Sequence, residues 1–269
     1  MNKYRFPLAI QLTLPNLFRE NKEFRTQLKT LQKHGFAGVE LNIVRPEAVD
    51  TEGLRRYLLE HGLSMTMFAT GAAAIDQELS LSTSEPKIRH RSIEMCRYFV
   101  DFASEMQAGI IIGFLQGTGS ADRQVARRLF TDSLQELAEH AEQKSTHLLI
   151  EACNRYITSV TNSLDDAYEL AQGFPQDTVR ILADTFHMNI EERDMLSAIR
   201  THANWFDSIH FSDNNRLLPG LGAIDFSLVV QTLSEINFSG IIALEADIRD
   251  NFFDELALSM SYLSPILSR

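Results

Sequence analysis

Val179-Arg180-Ile181-Leu182-Ala183-Asp184 has the composition of a short buried strand, and it stops on a carboxylate. The same pattern occurs three more times. Leu148-Leu149-Ile150-Glu151 precedes it, and Ser208-Ile209-His210 and Ile242-Ala243-Leu244-Glu245 follow it. The end points are 33, 26 and 35 residues apart, close to the ~31 residues of one strand–helix unit when about 250 residues make eight units. One structural position is therefore filled once per repeat.

Outward from these four, the alternation runs through the whole chain. Strand-like runs are expected at residues 8–12, 38–43, 64–69, 109–114, 147–151, 179–184, 208–211 and 240–245. Amphipathic helical patterns fall at 24–34, 51–61, 87–106, 121–143, 164–172, 226–235 and 252–263. Gly35 and Gly62 each follow a helical run that ends in histidine, as C-terminal caps do. Asn162 or Ser163 before Leu164-Asp165-Asp166 reads as an N-cap with acids in the first turn.

Eight such cycles imply a parallel sheet, and a closed (β/α)8 TIM barrel is its most economical form. No linker or low-complexity tract interrupts the sequence, so residues 1–269 are expected to form a single domain. A doubly wound open sheet would carry a glycine-rich nucleotide loop after its first strand. Here that strand leads into Gln11-Leu12-Thr13-Leu14-Pro15, without a glycine.

Composition narrows the function classes. The chain has 36 acidic against 25 basic residues and a formal net charge of -11. A phosphate backbone needs a basic surface, so nucleic acid is not expected as a partner. The start of the chain is too short in apolar residues for a signal peptide, and no segment reaches the ~18 apolar residues of a membrane span. Cys96 and Cys153 form no Cys-x-x-Cys pair and no disulfide framework. A cytoplasmic protein without membrane partners is expected.

In a barrel, the C-terminal strand ends form the mouth where active sites sit. Adjacent strands are ~4.8 Å apart, so Glu151, Asp184, His210 and Glu245 can converge on one ion. Any one alone reads equally well as a polar stop on a buried strand. Ionised carboxylates at a barrel mouth are costly unless paired or metal-bound, and four in register point to shared use. Three carboxylates and an imidazole suit one divalent metal, Mn2+ first, then Mg2+ or Co2+, with zinc less favoured.

Neighbouring residues extend the site. His187 lies three positions after Asp184 and faces the same mouth, unless it is a capping or core histidine. Arg216 sits in the long polar and glycine-containing loop 212–222, a site loop unless the arginine is a surface ion-pair partner. Glu40, on the second strand, points to the mouth by register, either toward substrate or as a structural carboxylate bonded to loop amides.

The runs Ile150-Glu151-Ala152-Cys153-Asn154-Arg155-Tyr156, residues 181–192 with Asp184-Thr185-Phe186-His187-Met188-Asn189-Ile190-Glu191-Glu192, and His210-Phe211-Ser212-Asp213-Asn214-Asn215-Arg216 with Pro219-Gly220 carry a resemblance. They are similar to the xylose-isomerase-like TIM barrel superfamily, within it the ketose 3-epimerases of the D-tagatose, D-psicose and 5-keto-L-gluconate kinds. The resemblance implies an enzyme, a carbohydrate 3-epimerase, with Glu151, Asp184, His210 and Glu245 as metal ligands. Glu151 and Glu245 are also its acid/base pair, and His187 and Arg216 contact the sugar near its carbonyl. It further implies a homodimer or homotetramer acting on a small ketose or keto-sugar acid. One departure stands out: the family's usual glutamate after Asn-Arg-Tyr/Phe is replaced by Ile157, which cannot accept a hydroxyl hydrogen bond.

The expected chemistry is inversion of C3 in a 2-ketose or keto-sugar acid through an enediolate, with two glutamates exchanging base and acid roles. Three rivals use the same metal site: an aldose–ketose isomerase, a hydroxypyruvate-type isomerase and a keto-inositol dehydratase. An apurinic endonuclease would need more strand-end histidines and a basic groove. A metal-free sugar-binding protein is the non-enzymatic reading.

Overall fold

Eight parallel strands pair in chain order and close on themselves: β1 (Leu8–Thr13), β2 (Gly38–Asn42), β3 (Ser64–Ala69), β4 (Gly109–Ile112), β5 (Leu148–Glu151), β6 (Val179–Asp184), β7 (Ser208–Phe211) and β8 (Ile241–Leu244). The closing seam aligns Leu8, Ala9 and Ile10 of β1 with Ile242, Ala243 and Leu244 of β8. This computed structural model describes residues 3–117 and 122–268. The single-domain (β/α)8 barrel expected from the alternation is the observed architecture.

Among the described residues ten helices surround the strands: α1 (Lys22–His34), α2 (Thr51–Glu60), α3 (Gly71–Asp76), α4 (Pro86–Met106), α5 (Arg123–Gln143), α6 (Leu164–Ala171), α7 (Thr185–Glu191), α8 (Met195–Thr201), α9 (Phe226–Glu235) and α10 (Phe252–Leu267). Gly35 ends α1 in the left-handed region at φ +87°, its N–H reaching the carbonyls of Gln32 and Leu31. Ser163 caps α6 by accepting from the Asp166 N–H. The helix expected from residue 121 begins at Arg123, and Ala121 lies outside the described residues. β4 stops at Ile112 rather than 114, because Gly113 turns the chain into a 3-10 turn over Phe114–Gln116. The three short helices α3, α7 and α8 were not expected from the sequence pattern. Among the described residues no helix is long and apolar enough to cross a membrane.

Side chains alternate between the two faces of each strand, and this alternation makes the site. Outward-facing residues join one large apolar layer between strands and helices, with Phe68 edge-on to Phe99 of α4 at 5.2 Å. Inside the barrel, Met67, Ala69, Ile111, Leu149 and Leu182 form a separate buried cluster. Two residues further along β5 and β6, on the same inner face, come Glu151 and Asp184. The apolar plug is thus the floor on which the carboxylates stand.

Candidate metal centre and active site

Register brings the strand-end residues together. Asp184 pairs directly with His210 across β6 and β7, and His210 pairs with Ala243, two positions before Glu245. One ligand atom from each of Glu151, Asp184, His210 and Glu245 lies within 4.8 Å of every other, a set that could hold a metal ion. His210 Nδ1 is central: it lies 2.5 Å from Glu245 Oε2 and 3.7 Å from both Glu151 Oε1 and Asp184 Oδ2.

The donor atoms are short of partners. Glu151 Oε1, His210 Nδ1, Glu245 Oε2 and both oxygens of Glu40 are buried without a well-formed hydrogen bond. Unpaired buried acceptors are expensive, and a divalent cation among them would satisfy several at once. The residues fit such an ion in both geometry and chemistry.

Two cations now balance the carboxylates. Arg216 Nη1 donates to Asp184 Oδ2 at 2.6 Å, and Nη2 lies 2.9 Å from Glu245 Oε1. Burial pushes the Asp184 carboxyl up, but Arg216, His187 and His210 outweigh it and hold it well below the usual range. Glu245 is held low in the same way, burial being overcome by Arg216 and His210. For His210, burial favours the neutral ring, yet Glu40 and Glu245 raise its pKa well above the ordinary value. Metal binding competes with that proton.

Each side chain has a local cause. Asp184 ends β6 and also caps α7, accepting from the Phe186 N–H at 2.7 Å, so one oxygen is fixed while the other faces the cluster. His187 is carried one turn into α7. Asn154 orients it: its Oδ1 accepts from the Tyr156 N–H, which leaves Nδ2 to donate to His187 Nδ1 at 2.8 Å. The ring proton therefore sits on Nε2, which lies 3.8 Å from Glu151 Oε1.

Arg216 is held at φ +64°, a left-handed conformation that costs energy outside glycine. Asp213 holds it there. Its fully buried carboxylate accepts from the backbone N–H groups of Asn214, Gly220, Gly222 and Ile224, winding the loop around one point. The guanidinium also stacks over the Phe186 ring, 5.0 Å from its centroid.

The structure brings Glu151, Asp184, His187, His210, Arg216 and Glu245 into one cluster. Glu40 takes a different place from either reading of the sequence. It is fully buried, bonded to no loop amide among the described residues and absent from the cavity wall, with Oε2 3.0 Å from His210 Nε2. It stands behind the imidazole. Ile157 is half-buried and also absent from that wall. Gln11, Asn42 and Gly113 do line the cavity, and sequence reasoning gave them no role. Asn154 was quoted in a motif without one, and Asp213 carried only the signal of opening a glycine-containing loop.

A model of the family described as Xylose isomerase-like TIM barrel matches residues 28–263. D-psicose 3-epimerase of Enterocloster bolteae is 30% identical over 198 residues, which span 71% of this chain and 64% of that relative. Ketose 3-epimerase of Arthrobacter globiformis is 25% identical over 249 residues, 91% of this chain and 81% of the relative. Among solved structures, D-psicose 3-epimerase with D-tagatose from Clostridium cellulolyticum H10 has a TM-score of 0.83 at 20% identity, covering 98% of this chain and all of that one. At that identity the structural likeness speaks to the fold alone. The sequence relatives support an enzyme of the isomerase and epimerase class, in agreement with the residue reading.

Proposed function

Because the chain belongs to the xylose isomerase-like TIM barrel family, we propose that it is a sugar epimerase that inverts C3 of a 2-ketose or keto-sugar acid. The observation that carries this reading is the two-sided placement of Glu151 and Glu245. They reach one cluster from β5 and from just past β8, with β6 and β7 between them. Inversion requires a proton to leave one face of the carbon and return on the other. Two carboxylates flanking the substrate exchange base and acid roles, each worth roughly 100-fold or more in rate. Same-face return, as in an aldose–ketose isomerase, leaves one of the two without a task.

Glu151, Asp184, His210 and Glu245 would hold one divalent metal, Mn2+ before Mg2+ or Co2+ for this oxygen-rich set. When bound, that ion polarises the ketone and lowers the cost of the negative charge that builds up on its oxygen. Glu40 Oε2, 3.0 Å behind His210 Nε2, favours a proton on that nitrogen and so leaves Nδ1 facing the cluster. His187 donates from Nε2 toward substrate oxygen beside Glu151. Arg216 presents two N–H groups in a fixed fork, suited to adjacent hydroxyl or carboxylate oxygens. To do so its guanidinium must exchange Asp184 and Glu245 for substrate, since the cavity under it has a volume of only about 40 Å3. The reading includes a reducing cytoplasm, where buried Cys96 and Cys153 stay thiols, and a homodimer or homotetramer.

The test is deuterium incorporation at C3, read by NMR in heavy water with Mn2+ present and a set of ketoses and keto-sugar acids. Glu151→Gln and Glu245→Gln should each abolish epimerisation. Robust epimerisation in either variant would remove the acid/base assignment, and label at C1 instead of C3 would favour the isomerase. A chelator should stop turnover and Mn2+ should restore it.

A further inference from the structure

A second cavity lies apart from the one above the carboxylates. It is a groove of about 560 Å3 at the β8–β1 seam on the same face of the barrel, a volume typical of small-ligand sites. Its walls are the first turns of α1 and the segment from Ala246 to Phe253, and Gln11 lines both it and the central cavity. The two spaces are neighbours through one side chain.

Several of the groove's polar groups are free, whereas Gln11 accepts from Asn42 Nδ2 at 3.4 Å. The carboxamide of Gln27 and the carboxylates of Glu23 and Asp250 have no partner among the described residues. Asn21 and Asn251 spend their carbonyl oxygens capping α1 and α10, which leaves both NH2 groups unengaged. Those caps take the Phe24 N–H at the start of α1 and the Phe253 and Asp254 N–H groups at the start of α10. No lysine, arginine or histidine lines the groove. Two carboxylates without a cation repel phosphate and carboxylate groups. Apolar surface completes the wall, with Phe24 and Phe252 buried and Ile248 exposed at the rim.

Free amide donors and carboxylate acceptors beside aromatic surface match a group that both donates and accepts and has an apolar C–H face. That group is a neutral polyhydroxyl unit. We propose that this groove is a second saccharide subsite, which takes a neutral glycosyl unit joined to the far end of the keto sugar held at the cluster. The joined part rests on the epimerase reading above.

The test uses intact Mn2+-loaded protein with D-fructose and two neutral glucosyl-fructoses, 6-O-linked isomaltulose and 4-O-linked maltulose. Calorimetry reads binding and NMR reads deuterium at C3. At least one disaccharide should bind about tenfold or more tightly than fructose. Asp250→Trp, which fills the groove from its exposed rim, and Gln27→Ala, at a half-buried position of α1, should each cut that advantage to about twofold or less. Circular dichroism checks that both variants fold, and the alanine keeps the test open if the tryptophan does not. Fructose and both disaccharides binding equally, or an advantage that survives both variants, would overturn the subsite. Tighter disaccharide binding that the variants abolish, with no exchange in any sugar, would support the groove and sink the epimerase reading.

Discussion

Gly113 follows β4 where any side chain would run into Glu151: an added Cβ would collide with Oε2 and approach Cys153 Sγ. The obstacle is the far end of a flexible side chain, so the fold can give way. Gly113→Ala should therefore cost about 1–3 kcal/mol of stability, as modest overpacking does. The carboxylate cannot give way without leaving its place, and a displacement of about 1 Å costs on the order of 100-fold in rate. Wild-type kcat in a Gly113→Ala protein with normal melting would show that Glu151 tolerates misplacement. Asp213 is the second residue with leverage beyond its own contacts. Asp213→Asn puts an NH2 group where backbone N–H donors converge, which should cost about 1–3 kcal/mol and release Arg216 from its φ +64° pose. On the role proposed for Arg216 in holding the sugar, the expected readout is a raised KM. An unchanged KM would mean that the loop holds itself.

At the scale of elements, α7 is the piece that the sequence pattern hid. Six- and seven-residue helices complete fewer than two turns, so α3, α7 and α8 leave no readable period. The long helices and the strands were legible because burial imposes a period over many residues, and 64–69, 179–184 and 208–211 were placed to the residue. The convergence of Glu151, Asp184, His210 and Glu245 was legible for a related reason: four strand ends in register are a local signal. Glu40 behind His210 was not, because only ring closure brings β2 to β7. α7 is tied at its C-terminal end, where Glu191 accepts from Arg155 through Nε at 2.8 Å and Nη2 at 2.7 Å, and from its backbone N–H. These hydrogen bonds, outweighing burial, hold the Glu191 carboxyl below its ordinary value. The tie is therefore fully present above the unfolded carboxylate pKa of about 4.3 and is lost as pH falls through the lowered folded value. Glu191→Gln should loosen the Asn154–Ile157 turn at neutral pH, seen as faster amide exchange there and a higher KM through His187. Unaltered exchange would assign the turn's order to Asn154 alone.

At the scale of the whole molecule, the cluster of Glu151, Asp184, His210 and Glu245 would, with an ion bound, brace half of the ring. Its candidate donors come from β5, β6, β7 and the residue after β8, strands also joined by backbone ladders, the apolar layer and side-chain bonds such as Thr185 Oγ1 to the Ser212 carbonyl. With Glu40 included, four carboxylates converge there against His210 and Arg216. A divalent cation bound to the folded barrel but not to the unfolded chain adds stability by mass action, about 2.7 kcal/mol at a hundredfold excess over Kd. For a domain of this size each kcal/mol moves Tm by about 2–4 °C, so chelator-stripped protein should melt roughly 5–10 °C higher once Mn2+ is added. Asp184→Ala should abolish the shift. It removes a ligand and the α7 cap together, so its own Tm should also fall by the ~1 kcal/mol of a lost cap. Glu245→Gln keeps the cap and should still lose most of the metal-dependent rise, which separates ligation from capping. A Tm indifferent to Mn2+ would mean that the orphaned carboxylate oxygens are met by Arg216 and His210 alone, and the barrel would then owe its mouth to ion pairs.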